Sequence, residues 1–275
     1  MPFVDLALAR RLEDAHTWRS IEYARACRTS HPDQVSIAPV AGGYAVCSGA
    51  GLPVNRATGL GMSGPVTQSD LDLIAQFFHS RGMASRVDLC PLADRSLLDL
   101  LRAGSYHLEG FLSVLLRFIS DSAAADASLA CASPDVQVRQ VGSQERELWL
   151  RTVAQGFSGR EDPPQEMLDI LAPNFDSRIA ACFLASIDGE PAGGAAMVTH
   201  QAVAELCSDS TRLAFRNRGV QTALLRTRLA AATDAGCDLA MALTTPGTVS
   251  QRNMERVGLR LAYTRAEMVR EGDCP

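Results

Sequence analysis

An internal repeat restricts the fold of this chain more than any other feature. Gly82 and Gly104 stand 22 residues apart, and so do Gly236 and Gly258. Each interval holds an apolar strand pattern ending at a proline, Pro91 or Pro246, and then a short helical pattern. Each second glycine leads into an apolar strand pattern that ends in arginine, Arg117 or Arg270. A helical stripe precedes each first glycine: Leu71, Ile74, Phe77 and Phe78 in one half, Val220, Leu224, Leu225 and Leu229 in the other. This order of elements, met twice, predicts two copies of one α/β unit.

The turns that open the two stripes differ in chemistry. Residues 216–222 read RNRGVQT, a glycine turn flanked by arginines running straight into a helix. The first turn of a helix carries N–H groups with no intrahelical acceptor and sits at the positive end of the helix dipole, so this stretch is a cradle for an anion. In the first half the matching stretch, residues 61–67, reads GMSGPVT. It has no arginine, and Pro65 removes a donor, so the first copy reads as unable to cradle phosphate.

The rest of the chain fits around these units. At 275 residues with 47% hydrophobic content there is enough chain for two cores. Residues 4–27 carry helical spacing, the segments at 44–49 and 55–60 read as strands, and Thr67 with Asp70 reads as a helix cap. Residues 120–135, small, polar and alanine-rich, are the expected linker, giving domains 1–120 and 136–275 about a linker at 121–135. Beyond it come a strand at 136–141 and a helix through 147–155, then an acidic, proline-containing stretch at 159–175 expected to lack regular structure. Asp188-Gly189 between apolar runs predicts a hairpin, and a third strand at 202–211 leads into the cradle.

Composition excludes several functions. A net charge of −5 argues against a nucleic-acid binder. The 8 cysteines form no CxxC pair and sit mostly among apolar neighbours, which predicts reduced, buried thiols and a cytoplasmic protein. No leader or membrane-spanning pattern and no metal-ligand spacing is readable, and the Gly-Lys-Ser/Thr of a P-loop and the second and third glycines of a dinucleotide fingerprint are missing.

Strand, R-x-x-G turn at a helix start, strand, and then a helix with SQRNMERVG before an apolar strand together resemble the GNAT superfamily of acyl-CoA-dependent N-acetyltransferases. The resemblance covers residues 136–270, and the first half resembles a degenerate copy, as in tandem members. It implies an α/β (α+β) fold of mixed, mostly antiparallel sheets flanked by helices. It also implies acetyl-CoA as co-substrate without a metal, and a small-molecule or peptide amine as acceptor, with a homodimer as a possible assembly. The pyrophosphate would sit on Arg216, Asn217, Arg218, Gly219, Val220, Gln221 and Thr222, although Gln221 stands where the family has a small residue. The pantetheine arm would lie along Asp209, Ser210 and Thr211, and Asn253 is a further candidate contact.

Transfer to an amine requires a group that takes a proton. With side chains alternating along a strand, Glu205 and Asp209 fall on one face beside the thioester, which makes Glu205 the candidate base. The family's usual tyrosine acid maps to Met254, so Tyr263 on the next strand is the candidate acid. A protein that binds acyl-CoA without turning it over, as a sensor or scaffold, is the alternative.

Overall fold

The computed structural model describes residues 3–28, 32–49, 51–119 and 135–272, so the expected linker lies outside the described residues apart from Asp135. The chain forms two compact units, Met1–Val114 with Leu261–Pro275, and Leu115–Arg260.

The first unit opens with helix α1, Leu6–Cys27, capped by the Asp5 carboxylate. Strands β1 (Ser36–Val40), β2 (Gly43–Cys47) and β3 (Arg56–Thr58) form an antiparallel meander. Helix α2 (Gln68–His79), strand β4 (Ser85–Leu89), helix α3 (Arg95–Ala103) and strand β5 (His107–Phe118) follow, with β4 parallel to β3. Leu71, Ile74 and Phe78, the stripe read from the sequence, pack with Val87, Leu97 and Leu101 as its core.

The second unit contains β6 (Val136–Gln140), helices α4 (Arg146–Ser158) and α5 (Gln165–Asp176), and strands β7 (Ala180–Ile187), β8 (Glu190–His200) and β9 (Val203–Thr211). Helix α6 (Val220–Asp234), strand β10 (Leu239–Thr244), helix α7 (Val249–Arg256) and strand β11 (Arg260–Arg270) complete the chain. The expected sequence of elements therefore occurs twice, as α2-β4-α3-β5 and α6-β10-α7-β11. The strands of the second unit run from residue 115 of β5 through β10, β9, β8 and β7 to β6, all antiparallel from β9 to β6. Its sheet is covered on one face by α6, with Phe183, Ala195, Leu206, Leu224 and Leu229, and on the other by α4 and α5, with Trp149, Val153, Leu171, Cys182 and Leu184.

The units depart from a linear division of the sequence in one respect. Strand β11 belongs to the first unit, where it pairs with β4 from Ala266↔Leu89 to Arg270↔Ser85. Alternation along a strand reveals which face is buried but not which neighbour it pairs with. Residues 159–175 also differ from expectation, because α5 occupies much of that stretch. Met167, Leu168, Leu171, Ala172 and Phe175 form its apolar face, a stripe that Pro164 and the internal Pro173 obscure in the sequence.

Asp188 (φ 54) and Gly189 (φ 81) both lie in the left-handed region, as a two-residue hairpin turn demands. At α2, Thr67 and Asp70 form the expected reciprocal cap. Thr67→Ala is expected to cost about 1 kcal/mol in urea unfolding near neutral pH. The hydroxyl and N–H of Thr67 hold the Asp70 carboxyl below its usual range. A depressed carboxylate contributes stability above its unfolded pKa and loses it as pH falls through the lower native value. The Thr67→Ala penalty should accordingly shrink on acidification.

Of the described cysteines, Cys27, Cys47, Cys90, Cys182 and Cys237 are buried and Cys207 is partly so, all as free thiols. Burial pushes the Cys90 thiol up to about 12. Among the described residues no helix is long and apolar enough to cross a membrane, and no group of three or more His, Cys, Asp or Glu side chains could hold a metal ion.

Candidate active site

The site is built where two strands part. Strands β9 and β10 are parallel, and their register runs from Val203↔Leu239 to Leu206↔Ala242 and no further. Past that point β9 is irregular: its register against β8 shifts between Gly194 and Ala196, and Ser208 takes φ 57. This is a β-bulge, an extra residue that bends a strand and breaks its ladder.

A cavity of about 830 Å³ opens beside the bulged end of β9, lined by Asp209, Ser210 and Thr211 on one side and by the start of α6 on another. Gly219 is the N-cap of α6 at φ 86 and offers no side chain to cap it. The N–H groups of the first helical turn thus face the cavity without an intrahelical acceptor. Asn217 (φ 63) completes the turn in the left-handed region. Arg216, Asn217, Gly219, Val220, Gln221 and Thr222 all line the cavity, as do Ser250, Arg252, Asn253 and Arg256 from α7.

The side chains around the turn are already engaged. Arg216 donates to the Gly156 carbonyl at 3.1 Å. Arg218 stacks over Phe215 and approaches Asp188 at 4.0 Å. Gln221, where a smaller residue was expected, accepts from Asn253 at 2.6 Å and donates to Ser250 at 3.3 Å, so its amide ties α6 to α7. Asn253 in turn accepts from Arg256 at 3.1 Å. The donors most available to an anion are backbone N–H groups at the helix's positive end.

In the first copy, three N–H groups around the matching turn are spent internally. Val66 N–H donates to Ser96 Oγ at 2.8 Å, Thr67 N–H to Asp70 at 2.9 Å and Asp70 N–H to Thr67 Oγ1 at 3.3 Å, while Pro65 has no N–H. Asp70 also places a negative charge at the helix start. The electrostatic end that would attract a phosphate is neutralised there.

The bulge overturns one expectation about the carboxylates. Ala204 and Leu206 belong to the α6-side core, and Cys207 packs on the α4 side, so Glu205 lies on the α4 face by alternation. The extra residue at 208 then reverses the parity. Asp209 reaches Arg228 of α6, while the Ser210 hydroxyl donates to the Val153 carbonyl of α4 at 2.7 Å. Glu205 and Asp209 therefore point to opposite faces of the sheet. Glu205 is 2% exposed, and the cavity lining does not include it. On the α4 side the fit is close: a Cβ on Gly156 would stand 1.9 Å from Ser210 Oγ and 2.9 Å from Thr211 backbone atoms.

Arg228 escaped the sequence reading. It is wholly buried, pairs with Asp209, and donates to the carbonyls of Leu224, Ala196 and Cys207. A signal was present: Leu224, Arg228 and Ala232 share an i, i+4 stripe, which puts a guanidinium in an apolar face.

The two acid candidates are both buried. Met254 is 3% exposed in the α6-side core. Tyr263 belongs to the first unit, where its buried hydroxyl donates to Glu13 at 2.7 Å. Burial, and then the Glu13 charge, push that phenol well above its usual range, which makes it a poor proton donor.

Residues 147–259 match the model of the Acetyltransferase (GNAT) family. The whole chain superposes on a GCN5-related N-acetyltransferase from Kribbella flavida with a TM-score of 0.65 at 14% identity, over 96% of each chain. A tandem GNAT protein from the clavulanic acid biosynthesis pathway gives a TM-score of 0.63 at 10% identity, over 92% of this chain and 88% of that one. A GCN5-related N-acetyltransferase from Sphaerobacter thermophilus gives 0.52 at 15% identity, over 69% and 60%. No curated protein matches the sequence. With the mixed, mostly antiparallel sheet, the paired copies of one α/β unit and the glycine turn at the parted strands, the chain has the tandem GNAT fold, and residues 147–259 of it match the GNAT family model.

Proposed function

We propose that the second unit is an acyl-CoA-dependent N-acyltransferase, using acetyl-CoA and a small-molecule or peptide amine. The observation that carries this is the uncapped N-terminus of α6, opening on a cavity whose other wall is the bulged end of β9. The N–H groups of residues 219–222 would hold the pyrophosphate, with Arg216, Arg218 and Asn217 shaping the turn and its field more than touching the ligand. Asn253 would keep Gln221 clear of the anion. The edge of β9 at Asp209, Ser210 and Thr211, which β10 leaves without a strand partner, would line the pantetheine arm.

Acetyl-CoA, when bound, supplies an acyl group already activated as a thioester. The chain's own work is to place the amine and to receive its proton. Glu205 is the proposed base, reached through a water because it stands behind the cavity wall. Glu205→Gln is expected to lower kcat by about 10²–10⁴-fold while acetyl-CoA affinity stays within about threefold. Solvent protonates the departing thiolate, since Met254 is a buried thioether and the Tyr263 hydroxyl is committed to Glu13.

Those two positions favour a second reading, binding without turnover. Free-thiol release measured with the full chain across a panel of amines, beside calorimetry with acetyl-CoA, separates the two. Thiol release dependent on an amine supports the enzyme; tight binding with no release on any amine supports the sensor.

A further inference from the structure

We infer that Arg228 is a positioning residue for acyl transfer, holding the bulge at Ser208 and with it the wall of the cavity. The inference rests on the acyltransferase reading above. An inserted residue leaves strand carbonyls without their ladder donors, and those carbonyls need partners when buried. Arg228 supplies them from beneath the sheet. Its Nη1 donates to Ala196 O at 2.9 Å and Cys207 O at 3.2 Å, the two residues paired across β8 and β9 next to the register shift. Both terminal nitrogens engage Asp209, the first residue past the bulge and a lining residue of the cavity. Nε donates to Leu224 O at 3.1 Å, anchoring the fork in the second turn of the helix whose first turn forms the cradle.

One side chain thus fixes Cys207 on one side of the bulge and Asp209 on the other, relative to the start of α6. A planar fork does this and an ammonium does not, because only guanidinium offers several donors in fixed directions. Arg228 touches neither substrate in this account. It acts through the strand, so its loss should spare the cradle and disturb the alignment of the thioester with the amine.

The test uses the full chain as wild type, Arg228→Lys and Asp209→Asn. Acetyl-CoA affinity is measured by calorimetry, kcat and KM by thiol release, and backbone protection of residues 207–212 by amide hydrogen exchange. The expected result is a fall in kcat of at least about tenfold in both variants, faster exchange at 207–212 but not in α6 in both, and, in Arg228→Lys, acetyl-CoA affinity within about threefold. Asp209→Asn, nearly isosteric, keeps the test open if Arg228→Lys folds poorly. An unchanged kcat in both variants, or a loss wholly in acetyl-CoA affinity in Arg228→Lys, overturns the positioning role and leaves the acyltransferase reading in place. A wild type that binds acetyl-CoA and releases no thiol with any amine overturns that reading, and the positioning role with it.

Discussion

Gly219→Pro is expected to weaken acetyl-CoA binding by roughly a hundredfold, on the order of 3 kcal/mol. The N-cap of α6 sits at φ 86, and proline is locked near −65°, so the turn cannot keep its shape. The substitution also deletes one of the N–H donors aimed at the anion. Hydrogen bonds to a charged acceptor are the stronger kind, about 1.5–3 kcal/mol each, and the left-handed position adds a conformational cost of similar size. Arg218→Ala provides the comparison. Its guanidinium is already turned to Phe215 and Asp188, so acetyl-CoA affinity should change by about threefold or less. If the two substitutions weaken binding equally, side-chain charge matters as much as the backbone, and the cradle account fails.

Arg265→Met is expected to destabilise the chain by about 3–5 kcal/mol in urea unfolding, the usual consequence of stranding a buried charge. Arg265 is 0% exposed and donates to Glu13 at 2.9 Å and to Asp88 at 3.4 Å. Asp88 keeps a second partner, Arg56, at 2.9 Å. Glu13 retains the Tyr263 hydroxyl, at 2.7 Å, while its other carboxylate oxygen is buried without a hydrogen-bond partner among the described residues. The cost should fall mainly on Glu13, so the pair Glu13→Gln with Arg265→Met should lose less than the two single changes summed. Additive losses would mean that the two residues do not act on one another.

The contrast between these sites shows what the sequence made readable. The repeat was visible because glycine and proline punctuate chains by local sterics, and the same punctuation marked the Asp188-Gly189 hairpin. The cradle was visible because a glycine turn entering a helix leaves donors exposed wherever it occurs. Strand β1 was not visible: Ala38 and Pro39 at its centre carry no strand signal, and it forms because β2 offers a partner. The bulge at Ser208 has no local cause either. Nothing in ELCSDST marks where a residue is inserted, and the inversion of Glu205 against Asp209 follows from tertiary contacts with α4 and α6. The surroundings of Tyr263 were hidden for the same reason, since its strand β11 pairs, from Ala266 to Arg270, with β4 of the other copy of the repeat. Residue types announced the chemistry, while strand partners and register decided which groups could take part.

On the proposed function, one of two similar turns holds the cofactor. The start of α6 at Gly219 has no side-chain cap, whereas in the matching turn at 61–67 Pro65 has no N–H and the N–H groups of Val66 and Thr67 donate to Ser96 and Asp70. Titration calorimetry of the full chain with acetyl-CoA measures this directly as a stoichiometry. One acetyl-CoA per chain, lost in Gly219→Pro and unchanged in Thr67→Ala, is the expected result; two per chain, or a single site that survives Gly219→Pro, would contradict it.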